Sequence, residues 1–358
     1  MKRIRSPLAI GALALVGSVI YAIFELRRAM LAWTAACGLG VATTLAAMMI
    51  VFTLQLAQAR WWLVIRRPFV SCAATVPVFA AFFIPIAAAI PVIYPWAGGH
   101  DVHEHARMWH GRTFFLARAA VYLVTWSVLA ALLRRFENGA SRRLAAVGLP
   151  VIGFTLTFAS FDWLMSAEPG WVSTIYGLAM LGAGGTCALG VVAVATHLSR
   201  ENDPRIQSDH VHAVGRLMLM TILVDGYLQF FQLLLIWIAD VPREITFFVT
   251  RSKGTWAGID VMLVLGKFLV PFLALLSRRL KTSSKPLAIV GAWLVVMSAL
   301  EVAWMVIPAS GAMPSFADAL PFIAVVALAS AYGARLAEPR LVAASAPELR
   351  ESLRYRSP

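Results

Sequence analysis

The chain has 358 residues, 60% of them hydrophobic and 14% charged, with a mean hydropathy of +0.77. Soluble globular proteins are about a quarter charged, so this composition excludes a soluble chain and puts it in lipid. The net charge of +13 is scattered between apolar runs, without the clustered basic face that nucleic-acid binding needs, which excludes that partner.

Ten apolar runs have the ~20 residues that a helix needs to cross a bilayer. They cover residues 7–24, 29–57, 69–95, 113–133, 144–165, 172–198, 213–238, 257–276, 286–308 and 316–336. No run shows the alternating ten-residue pattern of a membrane β-barrel. The predicted fold is therefore all-α and polytopic. It is one integral membrane domain over 1–336, followed by a polar tail over 337–358. The first run follows MKRIR and could pass for a signal peptide, but no small-residue cleavage site follows it. It reads as an uncleaved first helix.

Charge predicts the orientation. With the N-terminus in the cytoplasm, Lys2, Arg3, Arg5, Arg60, Arg66, Arg67 and the basic clusters near 134–143, 200–205, 278–285 and 335–356 all fall inside. Only Arg27, Arg28, Arg107, Arg112, Arg243, Arg251 and Lys253 fall outside, which is a positive-inside pattern with both termini cytoplasmic.

Along the chain, the loop GGHDVHEHARMWHGR carries His100, His103, His105 and His110. These are metal-ligating residue types, but they share no helical register, and a solvated or partner-facing role is expected. The fourth run carries Arg118. The fifth ends in SFDWLMSAEPGW, where Asp162 lies one turn inside the boundary at the depth of Arg118, so the two are expected to pair. Phe161 and Trp163 suit the aromatic belt, Glu168 reads as a solvated turn residue, and Ser173 or Thr174 can cap the next helix. In the sixth run, Gly177, Gly182, Gly185 and Ala188 are small residues that let helices approach closely. The GxG within GAGGTCALG lacks the preceding strand of a nucleotide-binding loop. Cys37, Cys72 and Cys187 form no CxxC pair and supply no ligand set for haem or an iron–sulfur cluster.

Ionisable residues inside spans are costly and face a bundle interior or a wet cavity. Here they are Arg118, Asp162, Arg216, Asp225, Lys267 and Glu301, with Asp260 near a span start. Thr221, Asp225, Gln229 and Gln232 form one polar stripe at helical spacing. Lys267 is near the midplane, with Asp260 seven residues earlier on the same helical face. The stripe and Lys267 form either a proton or polar-substrate path or a structural ion pair joining two helices. Glu301 stands without an evident partner.

The segments SFDWLMSAEPGWVSTIYG, WWLVIRRPFVSCAATVPVF, IYPW and FFLARAAVYLVTW resemble, in the first half of the chain, the ActF-type membrane subunit of alternative complex III. In the second half, DHVHAVGRLMLM, FFQLLLIWIADVPREITFF and LGKFLVPFLALLSRRLK do the same. That complex is a bacterial quinol:electron-acceptor oxidoreductase within the wider NrfD/polysulfide-reductase membrane-subunit superfamily. The resemblance covers roughly residues 60–308. It implies two four-helix bundles, 29–165 and 172–308, flanked by peripheral first and last helices. It also implies a subunit of the bacterial inner membrane that binds no cofactor and whose role is structural or proton-conducting, with Asp225, Lys267, Glu301, Asp162 and Arg118 as its proton path or its buried ion pairs. Its implied partners are an ActC-type paralogue, a multihaem cytochrome c and an iron–sulfur protein, which hold the quinol, haem and iron–sulfur centres. Ile238 and Arg243 stand where the family has Tyr and Glu, and Ala299 and Ala303 replace aromatics beside Glu301. Two other readings stay open: an NrfD-like subunit that itself oxidises quinol near Asp162, and a secondary transporter centred on Asp225 and Lys267.

Overall fold

The computed structural model describes residues 2–98, 109, 111–135, 142–168, 170–201, 203–336 and 346–357, without the side chains of 2–5, 243 and 346–348. No strand occurs among them. Ten helices among the described residues are long and apolar enough to cross a membrane, so the chain is an all-α multi-pass membrane protein. An even number of crossings puts both chain ends on one side, called here the terminal face; the other is the far face.

The first two crossings are single helices, α1 (Lys2–Phe24) and α2 (Leu26–Leu56). The third runs from Trp61 to Ala88 and is broken. A 3-10 turn leads into α3 (Arg66–Ala73), and α4 (Val78–Ala88) follows a turn at 74–77, with α5 (Ile90–Ile93) beyond. Pro77 has no N–H to continue the helix, and the Thr75 hydroxyl bonds the Cys72 carbonyl at 2.6 Å. The expected run of 69–95 was therefore displaced towards the chain's start. Crossings four to seven are α6 (Arg112–Arg135), α7 (Arg142–Trp163), α8 (Tyr176–Arg200) and α9 (Ser208–Ala239). After the surface helix α10 (Pro242–Arg251), crossing eight is composite. It comprises α11 (Gly254–Met262), a π-helical segment Leu263–Leu269, and α12 (Val270–Leu276). The short α13 (Arg278–Thr282) leads to α14 (Ser284–Val306) and α15 (Ala319–Leu336), and α16 (Ala346–Leu353) ends the fold.

Packing divides the crossings into two groups and a pair. α2 packs with α3, α4 and α7, and α6 completes that group. α8, α9, the composite crossing and α14 form the second, and α8 joins the groups by packing on α2 and α7. α1 and α15 lie along each other at the edge. Small residues set a close contact: α8 and α14 touch backbone to backbone at Gly190 and Gly291, where a Cβ on Gly190 would stand 2.5 Å from the Gly291 carbonyl oxygen.

Residues 346–357 do not trail away as the polar tail expected of 337–358. Ser352 accepts from the Val64 amide at 3.3 Å and donates to the Trp61 carbonyl at 3.0 Å. Ser357 and Arg356 reach His212 and Asp209 at the start of α9. Backbone groups exposed at the broken start of crossing three supply the docking points.

Candidate functional site: a buried lysine between two carboxylates

Pro271 shapes the centre of crossing eight. Its missing N–H cannot close a turn, and the helix ahead of it widens so that the Val270 amide bonds the Leu265 carbonyl five residues back. The Gly266 carbonyl is then left without a backbone donor, and the Trp293 indole N–H of α14 supplies one at 2.6 Å. Lys267 rides on this widened turn. The change of register separates it from Asp260, which the seven-residue spacing had placed on the same face. Lys267 is buried, whereas Asp260 is exposed on the protein surface.

The Lys267 ammonium bonds Asp225 Oδ2 of α9 and Glu301 Oε2 of α14. Glu301 is thus not isolated. Its second oxygen accepts from Gln229 Nε2 at 2.8 Å. All three charged residues are 5% exposed or less. Asp225 Oδ1 faces Gly182 of α8, and Thr186 of α8 stands beside it. The glycine that sequence marked only as a packing residue therefore makes room for a carboxylate.

The stripe on α9 continues towards the far face. Gln232, 2% exposed, accepts from the Ser173 hydroxyl at 3.2 Å. Ser173 is thereby engaged in the bundle and does not cap α8, which starts at Tyr176 without a side-chain cap. On the terminal side, the buried hydroxyls of Ser298 and Thr196 have no protein partner among the described residues.

Arg118 and Asp162 form a second, separate cluster near the far face. Arg118 Nε and Nη2 donate to the two carboxylate oxygens at 2.9 and 2.8 Å, Trp109 Nε1 adds a bond at 3.0 Å, and the Tyr122 hydroxyl adds one at 3.2 Å. Arg118 also lies over the Trp109 and Phe114 rings. Four donors saturate this carboxylate, so of the two roles offered by sequence the geometry supplies a buried ion pair. Trp163 packs inward against Phe83 and Trp126, and so does not join the aromatic belt.

No family model and no curated protein matches this chain. The chemistry of the site is therefore read from its own residues.

Two further clusters escaped the sequence reading. Glu168 lies in the expected turn and is partly exposed, but it does not stand free in solvent. It accepts from Arg251 Nη2 at 2.8 Å, and Arg251, fully buried, also bonds the Phe247, Trp304 and Met305 carbonyls. Burial pulls the Arg251 guanidinium below its ordinary value, and Glu168 acts against that shift. Asp318 receives Arg28 at 2.7 Å and the Tyr21 hydroxyl at 2.6 Å, tying α1 and α2 to the start of α15. Both arginines were counted only as topology signals, and nothing in their local spacing announces the partners. Among the described residues no group of three or more His, Cys, Asp or Glu is placed to hold a metal ion. His100, His103, His105 and His110 lie outside the described residues. Arg216 is exposed two turns into α9, and Cys37, Cys72 and Cys187 are buried free thiols.

Proposed function

We propose that this chain is a proton-conducting membrane subunit of a respiratory quinol:electron-acceptor oxidoreductase of the alternative complex III type. In this reading it lies in the bacterial inner membrane with both termini cytoplasmic. It carries no redox centre of its own, and it works beside an ActC-type paralogue, a multihaem cytochrome c and an iron–sulfur protein.

One observation supports the proton role above the others. A single lysine between two carboxylates leaves one negative charge in excess. In hydrocarbon an unbalanced charge is costly, and the group becomes neutral when the two carboxyls share one proton. Such a site can accept or release a proton without moving a helix. Gln229, Gln232 and Ser173 extend polar groups from it towards the far face. The saturated Asp162 carboxylate argues against the quinol-binding alternative, since no lone pair is left for a quinol hydroxyl.

The test is Asp225→Asn in the complex assembled in native membranes. Proton release per quinol should fall several-fold while quinol oxidation continues and haem-containing subunits still co-purify. Unchanged proton release in a fully assembled complex removes the role.

A second reading, secondary transport, draws on one observation. Crossings three and eight are both irregular, as paired broken helices are in transporters with inverted repeats. Isolation of the chain from native membranes without haem or iron–sulfur subunits favours that reading.

A further inference from the structure

At the terminal face, α9 and the end of crossing eight meet around a set of cations whose one acidic neighbour, Asp209, is engaged elsewhere. Lys281 of α13 lies across Gly215 of α9, its Cγ 2.8 Å from where a Cβ on that glycine would stand. Lys281, Arg278 and Arg216 all approach His212 closely enough to act on it electrostatically. The nearby Asp209 is already engaged by Arg356 and by the Ser357 amide. Among the described residues, no carboxylate forms an ion pair with Arg216, Arg278 or Lys281.

Depth matters as much as charge. At 32 residues α9 is about 48 Å long, against a hydrocarbon layer of about 30 Å, so each end overhangs by about 9 Å. Arg216 is about 12 Å from the start of α9, which puts its Cα just inside the hydrocarbon edge. Its side chain reaches back to the level of the lipid phosphates. Below it on the same face of α9, Met220, Leu223 and Tyr227 are exposed, and Leu273 and Leu276 are exposed on α12. The result is an exposed apolar face headed by three cations without a carboxylate partner among the described residues.

We infer that this face binds an anionic phospholipid, its phosphate held by Arg216, Arg278 and Lys281 and an acyl chain lying along Met220 and Leu223. Cationic pockets between membrane helices suit anionic headgroups because the phosphate supplies the missing negative charge at the right depth. An acidic segment of a partner protein would meet the charge but leave the apolar face uncovered.

The test uses the full chain purified in detergent, delipidated, and titrated with phosphatidylglycerol, phosphatidylcholine or inorganic phosphate, with bound molecules counted by native mass spectrometry. Phosphatidylglycerol should bind at least tenfold tighter than phosphatidylcholine. The double variant R216Q/K281Q should lose that preference, and R142Q/R143Q, at another exposed basic site of this face, should keep it. Arg216 is exposed, so R216Q alone remains folded and should lose most of the preference, while R216K retains it. Equal loss in R142Q/R143Q reduces the effect to general surface charge and overturns the site. So does the absence of any preference in the unmodified protein, or full displacement of the lipid by inorganic phosphate, which would mark a soluble-anion site.

Discussion

Gly182 on α8 and Asp225 on α9 are fitted to each other: a Cβ on the glycine would stand 2.8 Å from Asp225 Oδ1 and 3.2 Å from its Cα. The close approach of the two helices is what lets the Asp225 carboxylate turn towards Lys267. Gly182→Ala must either part the helices or rotate the carboxylate. Overpacking of this kind costs about 1–3 kcal/mol. The thermal midpoint in detergent should fall accordingly. Gly153→Ala on α7, where nothing lies within 4 Å of the added Cβ, should leave the midpoint unchanged or slightly raised. Equal behaviour of the two variants would remove the close fit as a constraint.

Charge counting ranks the variants of the lysine site. Asp225→Asn or Glu301→Gln leaves one lysine facing one carboxylate, a neutral pair, and should fold nearly normally. Lys267→Met leaves two carboxylates sharing one buried space, and should be less stable. The double variant D225N/E301Q strands a lysine in the bundle and should also be destabilised, by about 3–5 kcal/mol relative to the native chain. Thermal unfolding of the four proteins in one detergent checks the order. A single-carboxylate variant less stable than Lys267→Met would contradict it.

The fold was legible because lipid constrains it so strongly: every crossing must be a helix of adequate length, and hydropathy alone marks ten. The stripe Thr221–Asp225–Gln229–Gln232 was also readable, since it lies on one regular helix. What failed was whatever depended on departures from regularity. Asp260 and Lys267 were set on one face by counting 3.6 residues per turn, and the π-helical segment ahead of Pro271 breaks that count. Glu301 lacked a partner in the sequence because Lys267 comes from another helix. Glu168 and Arg251, far apart in the chain, meet only through the far-face loops. Local pattern carries no information about such encounters.

The Arg118–Asp162 pair should prove structural. Asp162→Asn removes the charge opposite a buried arginine that keeps only the Trp109 carbonyl and two aromatic faces as certain partners. A loss of about 3–5 kcal/mol is expected. Replacing both residues, R118M/D162L, should recover part of it, because no charge is then left alone. Proton release per quinol in whatever complex assembles should match the native value, in contrast to Asp225→Asn. A selective loss of proton release in a stable D162N protein would reassign the pair to the conducting path.

The Arg251–Glu168 pair should be strongly asymmetric. Arg251 spans three backbone carbonyls from α10 and the end of α14, and its guanidinium lies 3.4 Å above the centre of the Phe247 ring. Arg251→Met therefore removes a donor from three buried carbonyls at once, and each acceptor left without a replacement costs about 1–3 kcal/mol. Glu168 is partly exposed, with 26% of its side chain accessible, and water can replace much of what it supplies. Glu168→Gln keeps an acceptor for Arg251 and loses only the charge. Arg251→Met should release the 240–253 segment to protease at the far face and lower the thermal midpoint sharply. Glu168→Gln should leave the segment protected, with a small drop in midpoint. Equal sensitivity of the two variants would mean that the ion pair, rather than the arginine's hold on the backbone, fastens this segment.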